Sequence, residues 1–152
     1  MTAVTVHLRP YAADDEAVAI ALWQRSWQAA YPDIDFAERL TWWRTRWRSE
    51  LVPGATIIIA EVGAVFSGFV TVDGEGYLDQ LVVAPEQWGS GLADALICKA
   101  KRISPTHLDL HVNHDNARAL RFYGRHGFVI WRDEINPRSG KPVHLMRWTP
   151  KN

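Results

Sequence analysis

Three β-rich runs follow one another between residues 56 and 83, with only short turns between them. They are Thr56–Ala60, Val65–Val72 and Tyr77–Val83. Glycine marks both turns, at Gly63 and in the D-G-E-G segment that follows Val72. Connections this short join antiparallel neighbours, because a parallel pair needs a crossover of a dozen residues or more. The runs therefore predict an antiparallel meander around which the other elements must pack.

Helical and strand-like segments flank the meander on both sides. Before it, the pattern predicts a strand at Val4–Leu8, a helix at Asp14–Ala29, and a second helix from Asp35, its N-cap, to Arg48. After it come a helix at Gly89–Lys101, a strand at Leu108–Val112, a helix at Asn116–His126 and strands at Phe128–Trp131 and Val143–Trp148. The order β-α-α-β-β-β-α-β-α-β-β predicts an α+β fold with a mixed, mostly antiparallel central sheet flanked by helices. Residues 1–152 are expected to form a single domain.

Composition excludes several classes of function. The 17 basic and 17 acidic side chains cancel, so no nucleic-acid partner is expected. One cysteine, Cys98, permits neither an intrachain disulfide nor a multi-cysteine zinc site and fits a reducing compartment. We expect it to be buried in its helix.

Every apolar run is shorter than the ~20 residues of a membrane span, so we expect a cytoplasmic protein without a membrane partner.

A glycine-rich turn leads from the third run of the meander into the next helix. The residues from Val82 to Ala93 read V-V-A-P-E-Q-W-G-S-G-L-A. Glycine lets an anion approach the backbone closely, and the helix N-terminus adds partial positive charge. The segment is therefore suited to binding a pyrophosphate, although a tight strand-to-helix turn without a ligand has the same pattern.

The helix that begins near Asn116 carries a second motif. From Asn116 to Phe128 the chain reads N-A-R-A-L-R-F-Y-G-R-H-G-F. It resembles the signature N-x-x-A-x-x-F-Y-x-x-x-G-F of the GNAT superfamily of acyl-CoA-dependent N-acetyltransferases at every specified position. The turn upstream resembles that family's Q/R-x-x-G-x-G/A loop, except that Trp88 takes the place of the Gln or Arg. Together the two segments cover about a third of the chain.

The resemblance implies a GNAT-like fold and transfer of an acetyl group from acetyl-CoA to a primary amine by direct attack in a ternary complex. Main-chain groups of the meander's last strand would bind the pantetheine arm, and the amides of the glycine turn would bind the pyrophosphate. Tyr123 would be the acid that protonates the departing thiolate, and Asn116 would contact the cosubstrate or cap its helix. The cofactor-binding residues implied in this way are Leu81, Val82, Val83, Trp88, Gly89, Ser90, Gly91, Leu92, Ala93, Asp94, Asn116 and Tyr123.

An amine must lose a proton before it attacks, so a base or a water path is required. His111 lies on the strand where some family members carry a catalytic Glu, and imidazole accepts protons near neutral pH. Asp79, on the third run of the meander, is the second candidate. No motif of metal ligands accompanies His107, His111 and His114, so no metal is expected.

The acceptor is expected near the first two helices, which are rich in aromatic residues. Trp27, Tyr31 and Trp42 are candidates for its pocket, whereas Phe36, Leu40, Trp43 and Trp47 have the spacing of a core face. The aromatic residues favour an apolar or cationic acceptor, but a run of arginines on the second helix, Arg39 to Arg48, favours an acidic one. The acceptor amine stays open between a small molecule and a peptide, and a homodimer is a further expectation. The alternative function is a catalytically silent acyl-CoA sensor of the same fold.

Overall fold

The computed structural model describes residues 5–151. Seven strands and five helices follow the predicted order, with α2 continuing through a π-helical turn, Trp47–Leu51, into the short α3. The strands are β1 (Val6–Pro10), β2 (Ala55–Val62), β3 (Val65–Asp73), β4 (Leu78–Val83), β5 (Leu108–Asn113), β6 (Val129–Ile135) and β7 (Pro142–Trp148). The helices are α1 (Glu16–Ala30), α2 (Leu40–Arg46), α3 (Val52–Gly54), α4 (Leu92–Ile103) and α5 (Ala117–Arg125).

Most differences from the predicted bounds are small. The first strand lies two residues later than predicted, and Val4 falls outside the described residues. The strand predicted to end at Trp131 continues to Ile135. Asp35 accepts a hydrogen bond from the backbone N–H of Ala37, as expected of a residue that caps a helical start, although the first turn is a 3-10 helix.

The strands form two antiparallel sheets. One has the order β1-β2-β3-β4 and contains the predicted meander; the other has the order β5-β7-β6. A parallel bridge between Tyr77 and Asp109 links them at the starts of β4 and β5. The sequence predicted one mixed sheet. The strands form two sheets instead, which separate where the parallel neighbours β4 and β5 meet.

Two hydrophobic clusters cover opposite faces of the first sheet. Helix α4 buries Leu92, Leu96, Ile97 and Ala100, spaced as one helical face. On the other face, α1 and α2 pack an aromatic cluster in which Trp23 stacks on Trp43 with ring centroids 4.6 Å apart. Phe36, Trp43 and Trp47 are buried there as predicted. Cys98 is a correction, because it lies on the exposed side of α4 rather than in the interior.

Candidate active site

Strands β4 and β5 are joined by the Tyr77–Asp109 bridge and belong to separate sheets beyond it, and we call the gap between them the cleft. At its closed end, the backbone N–H of Asp109 donates to the carbonyl of Gly76 at 2.9 Å. Gly76 has φ +83°, and a Cβ there would lie 2.8 Å from the His107 ring and 2.9 Å from Ser104 Oγ. Glycine therefore allows the β3–β4 turn to approach β5 closely enough for the bridge to form.

The edge of β4 offers main-chain groups to this cleft. The N–H of Ala84 donates to the Ser67 carbonyl at 2.8 Å. Because hydrogen-bonded pairs alternate along an antiparallel ladder, the main-chain groups of Val82 face β3, and those of Leu81 and Val83 face the cleft. The carbonyl of Val83 already accepts hydrogen bonds from Ser26 Oγ at 3.0 Å and Trp88 Nε1 at 2.9 Å. Of the three residues predicted to present their backbone, Leu81 has the edge position that no described side chain occupies.

The glycine-rich turn lies at the open end of the cleft. Gly89 and Gly91 both have left-handed backbone conformations, with φ +82° and +93°. Gly91 is the N-cap of α4 and provides no side-chain acceptor for the N–H groups of the first turn, which have no carbonyl partners within the helix. The N–H groups of Ser90 and Leu92 are bonded to the Gln87 carbonyl at 3.1 Å and to Ser90 Oγ at 3.4 Å. The turn and the helix end can therefore direct the N–H groups of Gly89, Gly91, Ala93 and Asp94 toward one external acceptor.

Two side chains modify the charge of this turn. The carboxylate of Asp94, which an incoming anion would meet in the first turn of α4, is bonded to His126 Nε2 at 2.6 Å. The Arg118 guanidinium lies over the Trp88 ring, 4.5 Å from its centroid. Trp88 thus holds a cation beside the turn, where the family motif has a Gln or Arg.

Helix α5 presents the two residues expected from the second motif. Asn116 caps the helix, because its Oδ1 accepts a hydrogen bond from the Ala119 N–H at 3.1 Å. Tyr123 packs edge-on against Phe122 and Phe128. Burial raises the pKa of the Tyr123 hydroxyl above its usual value, and the neighbouring Tyr77 adds a smaller effect in the same direction. The hydroxyl is therefore a stable hydrogen-bond donor at neutral pH.

His111 is part of a chain of three side chains near the closed end of the cleft. Its Nδ1 lies 2.7 Å from the Tyr77 hydroxyl, and its Nε2 lies 2.8 Å from Glu134 Oε1. Hydrogen bonds from Arg132 and then from His111 lower the pKa of Glu134, so this carboxylate is charged at neutral pH. Burial, followed by the charge of Asp79, raises the pKa of Tyr77. When His111 is neutral and donates its Nε2–H to Glu134, its Nδ1 can accept a hydrogen bond from the Tyr77 hydroxyl.

Asp79 has a different environment. Thr71 pairs with Gln80 and Val72 with Leu78, so Asp79 is the extra residue of a β-bulge. Both of its carboxylate oxygens accept hydrogen bonds from Arg46, one at 2.9 Å, and the Gln80 amide donates to the same group at 2.9 Å. Both oxygens of Asp79 thus already take part in hydrogen bonds with neighbouring side chains.

The predicted acceptor residues do not form one continuous wall. Tyr31 reaches β5, where its hydroxyl accepts a hydrogen bond from Asn113 Nδ2 at 3.2 Å. Trp27 stacks behind it, with the two ring centroids 5.7 Å apart. Trp42 lies under the β6–β7 turn, and the Arg138 guanidinium covers its ring at 3.7 Å. The structure thus brings Tyr31 to the cleft and places Trp42 at its margin.

Several residues near the cleft were not identified from the sequence. Tyr77 was assigned only to a strand, Glu134 lies beyond the predicted end of its strand, and Arg118 was an unspecified position of the motif. Gln80 also belongs to this group, because its Oε1 is buried and has no hydrogen-bond partner within residues 5–151. A longer prediction for β6 would have placed Glu134 on the same sheet as His111.

Comparison with known proteins places these features in one family. The model of the Acetyltransferase (GNAT) family matches residues 17–128. The peptidyl-lysine N-acetyltransferase YjaB of Salmonella typhimurium is 31% identical over 129 residues, which cover 84% of this chain and 86% of the relative.

Solved structures share the fold. The GCN5-related N-acetyltransferase of Rhodopseudomonas palustris has a TM-score of 0.79 at 22% identity, with 99% of each chain covered. The PaiA N-acetyltransferase of Thermoplasma acidophilum, solved in complex with coenzyme A, has a TM-score of 0.75 at 19% identity, with 96% of this chain and 99% of that one covered. Among the described residues, no helix has the length and apolar character needed to cross a membrane.

Proposed function

The chain belongs to the GNAT family of acetyltransferases, and we propose that it transfers an acetyl group from acetyl-CoA to the side-chain amine of a peptide lysine. The observation that carries this proposal is the cleft between β4 and β5. It has a turn suited to anions at its open end and two tyrosines and a histidine toward its closed end. A long cosubstrate with a phosphate end and a reactive end matches this arrangement.

The cosubstrate supplies a thioester carbonyl and a thiolate leaving group. Leu81 offers main-chain groups for its amide-containing arm, as an added strand does. The turn from Gly89 to Asp94 binds the pyrophosphate through backbone N–H groups, with Arg118 adding positive charge. The positive φ angles of Gly89 and Gly91 and the absence of a side chain at the N-cap Gly91 support this assignment, because a Cβ at either position would obstruct the close approach of an anion to the backbone.

Tyr123 donates a hydrogen bond to the sulfur of the thioester. A raised pKa favours this role over complete proton transfer, because a buried phenol holds its proton more tightly than an ordinary thiol does. Charge that develops on the sulfur strengthens the bond as the reaction proceeds, so the interaction stabilises the transition state more than the bound substrates. Transfer is direct, because the exposed Cys98 lies on the solvent side of α4.

Deprotonation of the amine uses the chain of Tyr77, His111 and Glu134. The amine proton passes to the Tyr77 oxygen while the Tyr77 proton passes to His111 Nδ1. The resulting imidazolium keeps its Nε2–H bonded to Glu134, whose negative charge stabilises it. His111 thus remains the proposed base, and Tyr77 is the group that touches the amine. We assign Asp79 the role of orienting Arg46, because its two oxygens are bonded to that guanidinium.

The acceptor side of the cleft fits a lysine side chain better than an acidic molecule. Tyr31 offers an aromatic surface, and the Glu134 carboxylate lies at the end of the proposed proton path. The arginines of α2 favour an acidic acceptor less than the sequence indicates, because Arg46 and Arg48 are bonded to Asp79 and Glu16. The names of the YjaB relatives also specify peptidyl-lysine.

The acceptor is tested by a screen with acetyl-CoA in which free thiol is measured. The panel contains lysine peptides, the same peptides with arginine in place of lysine, free amino acids, polyamines and aminoglycosides. We expect turnover that depends on the peptide lysine and mass spectrometry that shows one added acetyl group on it. Turnover with a small amine alone would assign a different acceptor class to the same reaction. Light scattering on the same sample checks the expected homodimer.

The proton path is tested with Tyr77→Phe, His111→Gln and the double variant. Each single change is expected to lower kcat/KM by roughly 10²-fold, with no further loss in the double variant, because both residues act in one path. His7→Gln, which replaces an exposed imidazole on β1, is the matched control. Additive losses would separate the two residues, and a larger loss in Asp79→Asn would transfer the base to Asp79.

A further inference from the structure

A cluster of metal-binding side chains lies outside the cleft. His114, in the turn after β5, stacks on His144 of β7 with ring centroids 4.2 Å apart. Asp133 of β6 lies beside them, with its Oδ1 2.6 Å from His144 Nδ1. One donor atom from each of the three residues lies within 4.8 Å of the other two.

The cluster is separate from the proposed proton path. Side chains alternate between the two faces of a strand, so Asp133 and Glu134 point to opposite faces of the second sheet. His144 pairs with Val112 across β5 and β7, and His111 pairs with Leu145, which again places the two histidines on opposite faces. The basic residue next to Asp133, Arg132, is bonded to Glu134.

We propose that His114, Asp133 and His144 bind one Zn²⁺ ion or a similar late divalent transition metal. Imidazole nitrogen and carboxylate oxygen are ordinary ligands of these metals, whereas Mg²⁺ and Ca²⁺ prefer sites made of oxygen alone. Ligands on a tetrahedral zinc at bonds of about 2.0–2.1 Å lie about 3.3 Å apart. Donor atoms as far as 4.8 Å apart must therefore close by about 1.5 Å, and the hydrogen bond between Asp133 and His144 must give way to the metal. His114 and Asp133 are exposed and have room for this rotation, and the buried His144 provides the fixed point.

The three ligands come from three parts of the second sheet. The turn that carries His114 leads directly to Asn116, the cap of the helix that presents Tyr123. The His114 N–H also donates to the Pro142 carbonyl at 3.0 Å, so the turn is already held against β7. A bound metal would link this turn to β6 and β7 and stabilise the folded chain, because the unfolded chain does not hold the three groups together.

The test uses Zn²⁺ alone, added to protein that was purified without a polyhistidine tag and stripped with a chelator. Competition against a chromophoric zinc chelator is expected to give one site per chain. His114→Ala and Asp133→Ala are each expected to weaken binding by at least about 10-fold. Both residues are exposed, so neither change should prevent folding, and far-UV circular dichroism checks this. His7→Ala, an exposed histidine on β1, is the matched control.

A second measurement does not depend on the competitor. At about 100 times its dissociation constant, Zn²⁺ should raise the Tm of the wild-type chain by roughly 5–10 °C and leave the His114→Ala/Asp133→Ala double variant unchanged. Mg²⁺ should have no effect on either protein. Equal zinc affinity in wild type and double variant would mean an adventitious ion only and would overturn the proposal, as would the absence of a one-to-one site.

Discussion

At the scale of single residues, burial sets the chemistry of Tyr123. The hydroxyl lies among the core side chains at the end of the cleft, where water stabilises a phenolate less well than in solution. Its pKa is raised, so Tyr123 stays protonated throughout the range in which an enzyme of this kind operates. If activity falls at alkaline pH, we therefore expect the ionisation of a group other than Tyr123 to be the cause.

Replacement of Tyr123 with Phe removes the proposed hydrogen bond and keeps the ring that packs on Phe122 and Phe128. We expect kcat to fall by roughly 10²–10³-fold, the usual loss for one donor that stabilises developing charge. Affinity for acetyl-CoA, measured by calorimetry, should change by only a few-fold. Phe122→Leu, which alters packing without removing a hydroxyl, is the comparison. An unchanged kcat in Tyr123→Phe would make the residue a packing side chain.

At the scale of elements, the position of β4 depends on a glycine in its neighbour. A Cβ at Gly68 of β3 would lie 2.7 Å from the carbonyl oxygen of Val82 and 3.3 Å from Leu96 on α4. The first distance is too short for any real contact, and its partner is backbone. Gly68 thus lets β3 lie close to both its neighbour β4 and the helix α4 that covers the sheet.

Gly68→Ala is expected to push β4 away from β3. We expect a loss of about 1–3 kcal/mol of stability, the usual cost of overpacking, and weaker binding of acetyl-CoA in calorimetry. Gly74→Ala is the matched control, because a Cβ there meets nothing within 4 Å and its φ is not left-handed. Equal stability of the two variants would show that β4 adjusts without cost.

The junction of β1 and α1 contains an ion pair that depends on pH. Asp15 accepts two hydrogen bonds from Arg9, both at 2.8 Å, and a third from the Ala12 N–H at 2.8 Å. The pair with Arg9 lowers the pKa of Asp15 against the opposing effect of burial. A carboxylate whose pKa is lower in the folded chain stabilises the fold above its unfolded pKa of about 3.9, and this contribution is lost as the pH falls through the folded value.

Asp15→Asn keeps a side-chain oxygen that can accept from the Ala12 N–H, and it removes the charge. At pH 7 we expect its Tm to be roughly 2–4 °C below that of the wild type. The difference should shrink as the pH falls below about 4, because the wild-type carboxylate then becomes neutral as well. Asp14→Asn, at the exposed neighbouring position, should have little effect at either pH. A difference in Tm that is constant with pH would show that the charge of Asp15 is not the source of the stabilisation.

At the scale of the whole molecule, the two sheets meet closely only at the closed end of the cleft. A ligand that runs from the closed end to the glycine turn contacts both sides of the opening, so acetyl-CoA is expected to stabilise the complete fold. At about 100 times its dissociation constant it should raise the Tm by roughly 5–10 °C.

Gly91→Glu is expected to abolish this rise, because it adds negative charge and a strained side chain at φ +93° beside the phosphates. Gly140→Glu is the matched control: its φ is also left-handed, at +72°, and it lies in the β6–β7 turn. The two variants share the change in charge and the backbone strain. A similar response to acetyl-CoA in both would remove the glycine turn from the binding site.

Local signals in the sequence predicted the order of elements, the meander, the glycine turn and the helix with Tyr123. Each of these depends on residues close together in the chain, such as the short turns after Ala60 and Val72 or the spacing from Asn116 to Phe128. The repeat of side chains along a helix or strand and the conformations open to glycine are local properties of the backbone. For this reason the sequence by itself determined the fold class, the GNAT resemblance and the position of the glycine turn.

Only the tertiary structure decided which side chains meet. Tyr77 directly precedes β4, His111 lies on β5 and Glu134 lies on β6. The second group is equally dispersed, because His114 directly follows β5, Asp133 lies on β6 and His144 lies on β7. The register of β5, β6 and β7 brings these groups together, and a shift by one residue would move each side chain to the opposite face. The same alternation turns Leu81 to the cleft and Val82 to β3. Such meetings depend on register and on packing between distant segments, which no local pattern in the chain records.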